Sequence, residues 1–328
     1  MDPVSADIKP DITLNSVVFP APLGPCRPNI DPSLEIWHWP ISLYLFLGGL
    51  AAGILFFMGL ITVLGKEKEY PTTVKYASIV PPIALSVGLL ALVYDLTHPL
   101  YTWQLYTTVR LESPMSWGAW VLLITTPLSF LWVFSYFSEL FPKWKLKFEF
   151  LNKFEEFLKD NRKNMAYALI PLSIILGVYT GILLSAFNAR PLWNNAILGP
   201  LFLVSGLSTG AATIILLAKT KKEKHLFGKI DLALIVLELG LIVHMLMGMY
   251  AGSEVQLEAM QLLVGGEFTL MFFGFVIILG LIVPAILELI ELIGFKVPVA
   301  VPALLVLIGG LVLRFVMVEA GQITRYLY

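Results

Sequence analysis

One cysteine, Cys26, and four histidines are all the thiol and imidazole ligands that this 328-residue chain offers a metal. An iron–sulfur cluster takes several cysteine ligands, so none is expected in the chain, and an internal disulfide is excluded. The histidines are scattered: His225 lies in a lysine-rich loop, His38 and His98 lie at the rims of apolar stretches, and only His244 falls within one. Two stacked haems are excluded by count, and we expect no haem and no bound metal. Charge is scarce as well, at 14% of residues against roughly 25% in soluble proteins. The formal net charge of −1 provides no footprint for nucleic acid.

Apolar sequence is abundant. Hydrophobic residues make up 58% of the chain and gather in eight stretches, over 41–64, 77–96, 117–139, 165–187, 196–218, 230–251, 268–287 and 297–318. A helix needs about 20 apolar residues to cross a hydrocarbon core of about 30 Å. Buried helices of soluble proteins rarely run so long without charge. The fold class is therefore read as an all-α polytopic membrane protein with eight transmembrane helices and a lipid-facing surface. Residues 1–35 are polar and proline-rich and lack a basic start followed by an apolar core, so no cleavable signal is expected. We read 1–35 as an outer segment that orders against a partner, and 36–328 as the membrane domain.

Sixteen of the 22 lysines and arginines lie in the loops after the first, third, fifth and seventh stretches. Basic loops stay cytoplasmic, so both termini are expected outside, in a bacterial or archaeal plasma membrane. Residues 143–163 carry apolar side chains at helical spacing; the segment reads as an amphipathic surface helix or as a solvated loop. The first and fifth stretches share a glycine pattern, Gly49 and Gly53 against Gly206 and Gly210. This reads as a helix-packing face or as a duplicated four-helix unit.

Counting about 1.5 Å of rise per residue places most polar residues within the apolar stretches in the outer half. These include Ser42, Tyr44, Asp95, Tyr179, Thr180, Ser205, Ser208, His244, Arg314 and Glu319, with His38 at the rim. Ionisable groups there are costly and mark candidate sites. Asp231 and Glu238 run inward below His244, either as a proton path with Glu319 or as carboxyls satisfied by neighbours. A polar outer pocket without a metal suits an amphipathic ligand, and a quinone fits: its two carbonyl oxygens need donors. Tyr44, His38, Tyr179 and His244 are candidate donors, and Asp95, Glu238 and Glu319 candidate proton carriers. Asp95 and His98 read as an end cap or a proton-transfer pair, Trp37 and Trp39 as an interfacial belt, and Arg190 and Arg314 as ion-pair partners of Asp95 or Glu319. A secondary transporter is the alternative; it predicts broken helices at two matching positions, and Pro81-Pro82, Pro171 and Pro284 form no such pair.

An ordered set of motifs resembles the NrfD/PsrC family, the membrane subunits of polysulfide reductase-like complexes. They are Trp37-His38-Trp39 before Tyr44 and Gly48-Gly49; Asp95-Leu96 with His98-Pro99; Ser113-Pro114-Met115-Ser116-Trp117-Gly118; Gly177 with Tyr179-Thr180-Gly181; Arg190-Pro191-Leu192-Trp193; and Arg314 with Ala320-Gly321-Gln322. The resemblance covers residues 35–322. It implies eight or more transmembrane helices, often as two four-helix bundles, with menaquinone or ubiquinone bound near the outer face. It also implies a ferredoxin-like iron–sulfur partner there, serving a molybdopterin or multihaem subunit. The family's quinone-binding tyrosine falls on Tyr179 and its first-helix polar pair near Ser42 and Tyr44. Relatives with Asn and His at that pair would donate through the His. Here a hydroxyl and a phenol replace them, and a phenol donates but is no near-neutral base.

Overall fold

Eight helices long and apolar enough to cross a membrane follow one another: α1 (Trp39–Val63), α2 (Thr72–Asp95), α3 (Pro114–Ser135), α4 (Arg162–Ser185), α5 (Leu198–Leu217), α6 (Lys221–Tyr250), α7 (Leu270–Leu292) and α8 (Ala300–Ile323). They come from a computed structural model that describes residues 37–96, 98–110, 112–143, 148–295 and 297–323; the expected docking segment 1–35 lies outside the described residues. Among the described residues there is no strand. α6 starts at Lys221, ahead of its apolar run, because Thr220 caps it by accepting from the Glu223 backbone N–H at 3.2 Å.

α1 packs on α2 and α4, and α3 packs on α4 and α2, which makes one four-helix bundle. A second is built by α5 with α6 and α8, α7 with α8, and α6 with the end of α7. α1 and α4 join the bundles through α5. Small residues put α1 at the centre: 72% of its most apolar window is buried in the protein, against 28% for α6 and for α7. The outer helices turn apolar side chains outward instead, as Ile83, Val87 and Leu90 do on α2. Apolar helices gain little by hiding from lipid, so close contact of small residues has to hold them together.

The shared glycine pattern is that contact. A Cβ on Gly53 would overlap the Gly206 carbonyl, one on Gly210 would lie 2.6 Å from the Gly53 backbone, and one on Gly206 would lie 2.8 Å from Gly49 O. The two motifs pack on each other, Gly49 with Gly206 and Gly53 with Gly210, so α1 and α5 cross in parallel register. Gly280 of α7 and Gly309 of α8 make a second backbone-to-backbone contact. The opening turn of α2 is a π-turn, Thr72–Tyr76, whose Thr72 and Thr73 N–H groups donate to buried Glu223 at 2.8 and 3.2 Å. A carboxylate at the start of a helix satisfies amides that have no partner within it.

Helix Glu149–Asp160 bears out the amphipathic reading for that part of the lysine-rich loop; Lys145 and Lys147 lie outside the described residues. Its buried Glu155 accepts from the Ser138 N–H at 3.1 Å and hydroxyl at 2.5 Å, and pairs with Lys159 at 2.8 Å. Burial pushes the Glu155 carboxyl up, but the bonds from Lys159 and Ser138 outweigh it and hold it below the usual carboxylate range.

At the opposite end, three of the ordered motifs meet. The Trp37 N–H donates to Gln322 Oε1 and the Gln322 amide donates back to Trp37 O, both at 2.7 Å. Arg190 donates to the Gln322 carbonyl, and the Trp193 indole donates to Met317 O at 2.7 Å. Trp37 stacks on Trp193 at 5.2 Å and meets Phe187 edge-on at 5.0 Å. A Cβ on Gly321 would fall on the Trp193 indole. Trp37 is therefore corrected from a membrane belt to a packing residue that ties the start of α1 to the end of α8, while Trp39 stays exposed.

Candidate functional site

Two buried polar clusters stand out, one in each bundle. In the first bundle, Tyr44 of α1 is 2% exposed and its hydroxyl completes no hydrogen bond. The phenols of Tyr179 on α4 and of Tyr106 approach it closely enough to interact, without satisfying it. Ser42 Oγ, two residues earlier on α1 and about 200° round the helix from Tyr44, is also buried without a partner. Tyr179 takes its position from Gly118 of α3, where a Cβ would fall within its ring, and Tyr44 lies against Gly88 of α2. Buried donors rarely stay unpaired, because leaving one unmade costs about 1–3 kcal/mol. The Tyr44 and Tyr179 phenols, held by four helices and with the Tyr44 hydroxyl unpaired, fit a ligand that brings a carbonyl acceptor and an apolar ring.

At the end of α2 nearest this cluster, the imidazole Nδ1 of exposed His38 lies 3.0 Å from Asp95 Oδ1, and the Asp95 side chain is buried. This corrects the Asp95–His98 pairing: His98 meets Tyr101 edge-on at 6.1 Å instead. Thr180 turns inward, donating to Gly177 O at 2.7 Å, and packs as core.

The second cluster lies among α5, α6, α7 and α8. Arg314 is fully buried and donates to Ser205 Oγ at 2.5 Å, Phe202 O at 3.1 Å and Gly310 O at 3.1 Å. Its expected pairing with Asp95 or Glu319 is replaced by this set. Glu238 of α6 faces Ser205 and the Arg314 charge. Seven residues earlier, Asp231 accepts from Ser208 Oγ at 2.6 Å and turns its other oxygen to Glu288 of α7. Both Glu288 oxygens are buried and lack a donor.

The expected site residues thus divide. Tyr44 and Tyr179 form one cluster with His38 and Asp95 at the nearer end of α2, while Ser42 is buried on another face of α1; Ser208, Arg314, Asp231 and Glu238 form the other. His244 joins neither: it is exposed on α6. At about 100° per residue, six residues from Glu238 turn it roughly 120° away from the buried face. Glu319 is exposed near the end of α8. Sequence reading missed Glu288, an acid that falls just past the end of the seventh apolar stretch. It also missed that Gly118 makes room for the Tyr179 ring. Among the described residues, no three His, Cys, Asp or Glu side chains gather to hold a metal.

Comparison with known proteins decides the family. The sequence matches the family described as "Polysulphide reductase, NrfD" over residues 28–325. The chain belongs to the NrfD family. It is 33% identical over 303 residues to the C subunit of polysulfide reductase from Wolinella succinogenes, covering 88% of this chain and 94% of that protein. It is 31% identical over 313 residues to protein NrfD of Escherichia coli, covering 88% and 96%. A Haemophilus influenzae NrfD homolog is 29% identical over 313 residues, covering 90% and 97%. Membership of the NrfD family and eight apolar helices make this a multi-pass membrane subunit of an oxidoreductase complex.

Proposed function

We propose that this chain is the quinone-reactive anchor of a respiratory oxidoreductase. It exchanges electrons between the membrane quinone pool, menaquinone or ubiquinone, and a ferredoxin-like iron–sulfur subunit docked outside. Through that subunit it serves a molybdopterin or multihaem catalytic subunit. The orphaned Tyr44 hydroxyl facing the Tyr179 phenol carries the reading. A bound quinone supplies two-electron, two-proton carrier chemistry. Tyr44 and Tyr179 donate to one acceptor, and Gly118 leaves the Tyr179 ring room beside it. His38 and Asp95 exchange protons with water at the rim. In a titration of the purified complex with a tight-binding quinol analogue, Tyr44→Phe should weaken binding about tenfold, the scale of one lost hydrogen bond of about 1.4 kcal/mol. Unchanged affinity would remove Tyr44 from the site.

The lysine-rich loops support an orientation with both termini outside. A reporter active only in the cytoplasm, fused to Tyr328, should stay silent, and a strong signal would invert the placement. The second cluster supports a proton path in which Asp231 and Glu288 hold a proton that Ser208 and Glu238 pass toward the outer half, with the Arg314 charge beside Glu238 favouring its ionised form. Asp231→Asn should lower the protons moved per electron in reconstituted vesicles while quinol oxidation by the uncoupled complex persists. An unchanged ratio would make the cluster structural.

A further inference from the structure

The lysine-rich end of the molecule holds a cleft of about 530 Å³ between the loop after α1, the start of α2, the ends of α3 and α4, and the loop before α6. Six charged side chains line it: Lys68, Lys75, Arg162 and Lys219 against Glu67 and Glu139, a surplus of two positive charges. Glu139 serves two of the cations at once, 3.4 Å from Lys75 and 3.2 Å from Arg162. Arg162 is fixed in place. Its guanidinium stacks on Tyr136 at 3.4 Å, and its Nε donates to Ser135 Oγ at 3.1 Å. Lys68 and Lys219 are exposed and make no ion pair among the described residues, and the Lys219 ammonium sits over the Tyr76 ring at 4.1 Å. Tyr136 also lines the cleft, is 4% exposed, and its hydroxyl has no partner.

We propose that this cleft binds the phosphodiester headgroup of an anionic phospholipid. Free cations, a pre-set guanidinium and an orphaned phenol donor are what a phosphate oxygen requires. Basic pockets between helix ends at a membrane surface are suited to such headgroups. The apolar surroundings favour a lipid over a soluble phosphate. Tyr76 at the rim starts an exposed stripe that continues along α2 through Ile83, Val87 and Leu90, where an acyl chain can lie. The surplus of two charges matches a headgroup with two phosphates better than one with a single phosphate. The site is separate from the quinone-binding cluster and does not depend on that reading.

Native mass spectrometry and thermal melting of the purified full-length protein test it, with phosphatidylglycerol, cardiolipin, phosphatidylcholine or inorganic phosphate added to the detergent solution. The wild type should keep one anionic phospholipid per chain. It should melt higher with phosphatidylglycerol or cardiolipin, and not with phosphatidylcholine or inorganic phosphate. Lys68→Gln with Lys219→Gln should weaken anionic-lipid binding by about tenfold or more, on the scale expected for two lysines at a membrane surface. Both lysines are exposed, so the variant should fold. Lys153→Gln, on the surface helix away from the cleft, should behave as wild type. Equal lipid retention by the double variant, an equal loss in Lys153→Gln, or the same melting rise with inorganic phosphate would each overturn the proposal.

Discussion

Tyr179→Phe should lower quinol-linked turnover by about one to three orders of magnitude, the scale of removing a donor that stabilises developing charge. The phenyl ring still fills the space beside Gly118, so packing and assembly with the iron–sulfur partner should persist. The lost hydroxyl matters most as negative charge builds on a quinone oxygen, since a buried donor is worth more to a charged acceptor than to a neutral one. Turnover should therefore fall more than affinity. Activity with an artificial donor that feeds the partner directly should stay at the wild-type level. Turnover equal to wild type would make Tyr179 a packed core tyrosine.

Gly53→Leu should abolish the folded subunit. Its Cβ would overlap the Gly206 carbonyl, and the obstacle is backbone that no rotamer change can move. A single methylene forced into a packed interior costs about 1–3 kcal/mol, and a leucine here adds several at the seam between the bundles. A fluorescent fusion of the variant should give no monodisperse peak on size exclusion. Gly240→Ala is the control, since a Cβ there meets nothing within 4 Å. A normal peak for Gly53→Leu would mean that α1 and α5 do not meet as described.

The eight helices are legible because each is one long apolar run, and the two glycine patterns read as packing faces, but that they pack on each other is seen only in the structure. Depth places Tyr44 and Tyr179 among four candidate donors and the family resemblance points to Tyr179 and the Ser42–Tyr44 region, but that the two phenols meet is not legible, since they lie in different helices with nothing local to link them. Counting residues gives height in a membrane but not rotation about the helix axis. That is why His244, at the expected height, turns away from Glu238, while Asp231, seven residues from Glu238, shares its face. Proximity in sequence drew Asp95 to His98, but the turn after α2 carries His98 to Tyr101, and the start of α1 brings His38 in its place. Glu288 escaped notice because its partner Asp231 is on another helix.

Covalent photolabelling tests the quinone site most directly. The intact complex in membranes would be illuminated with an azido-quinone, and the modified peptides identified by mass spectrometry. A quinone held between α1 and α4 should leave labels near Tyr44 and Tyr179, suppressed by excess quinol analogue and lost in the Tyr44→Phe, Tyr179→Phe double variant. Labels confined to α6 around His244, or unchanged in the double variant, would contradict it.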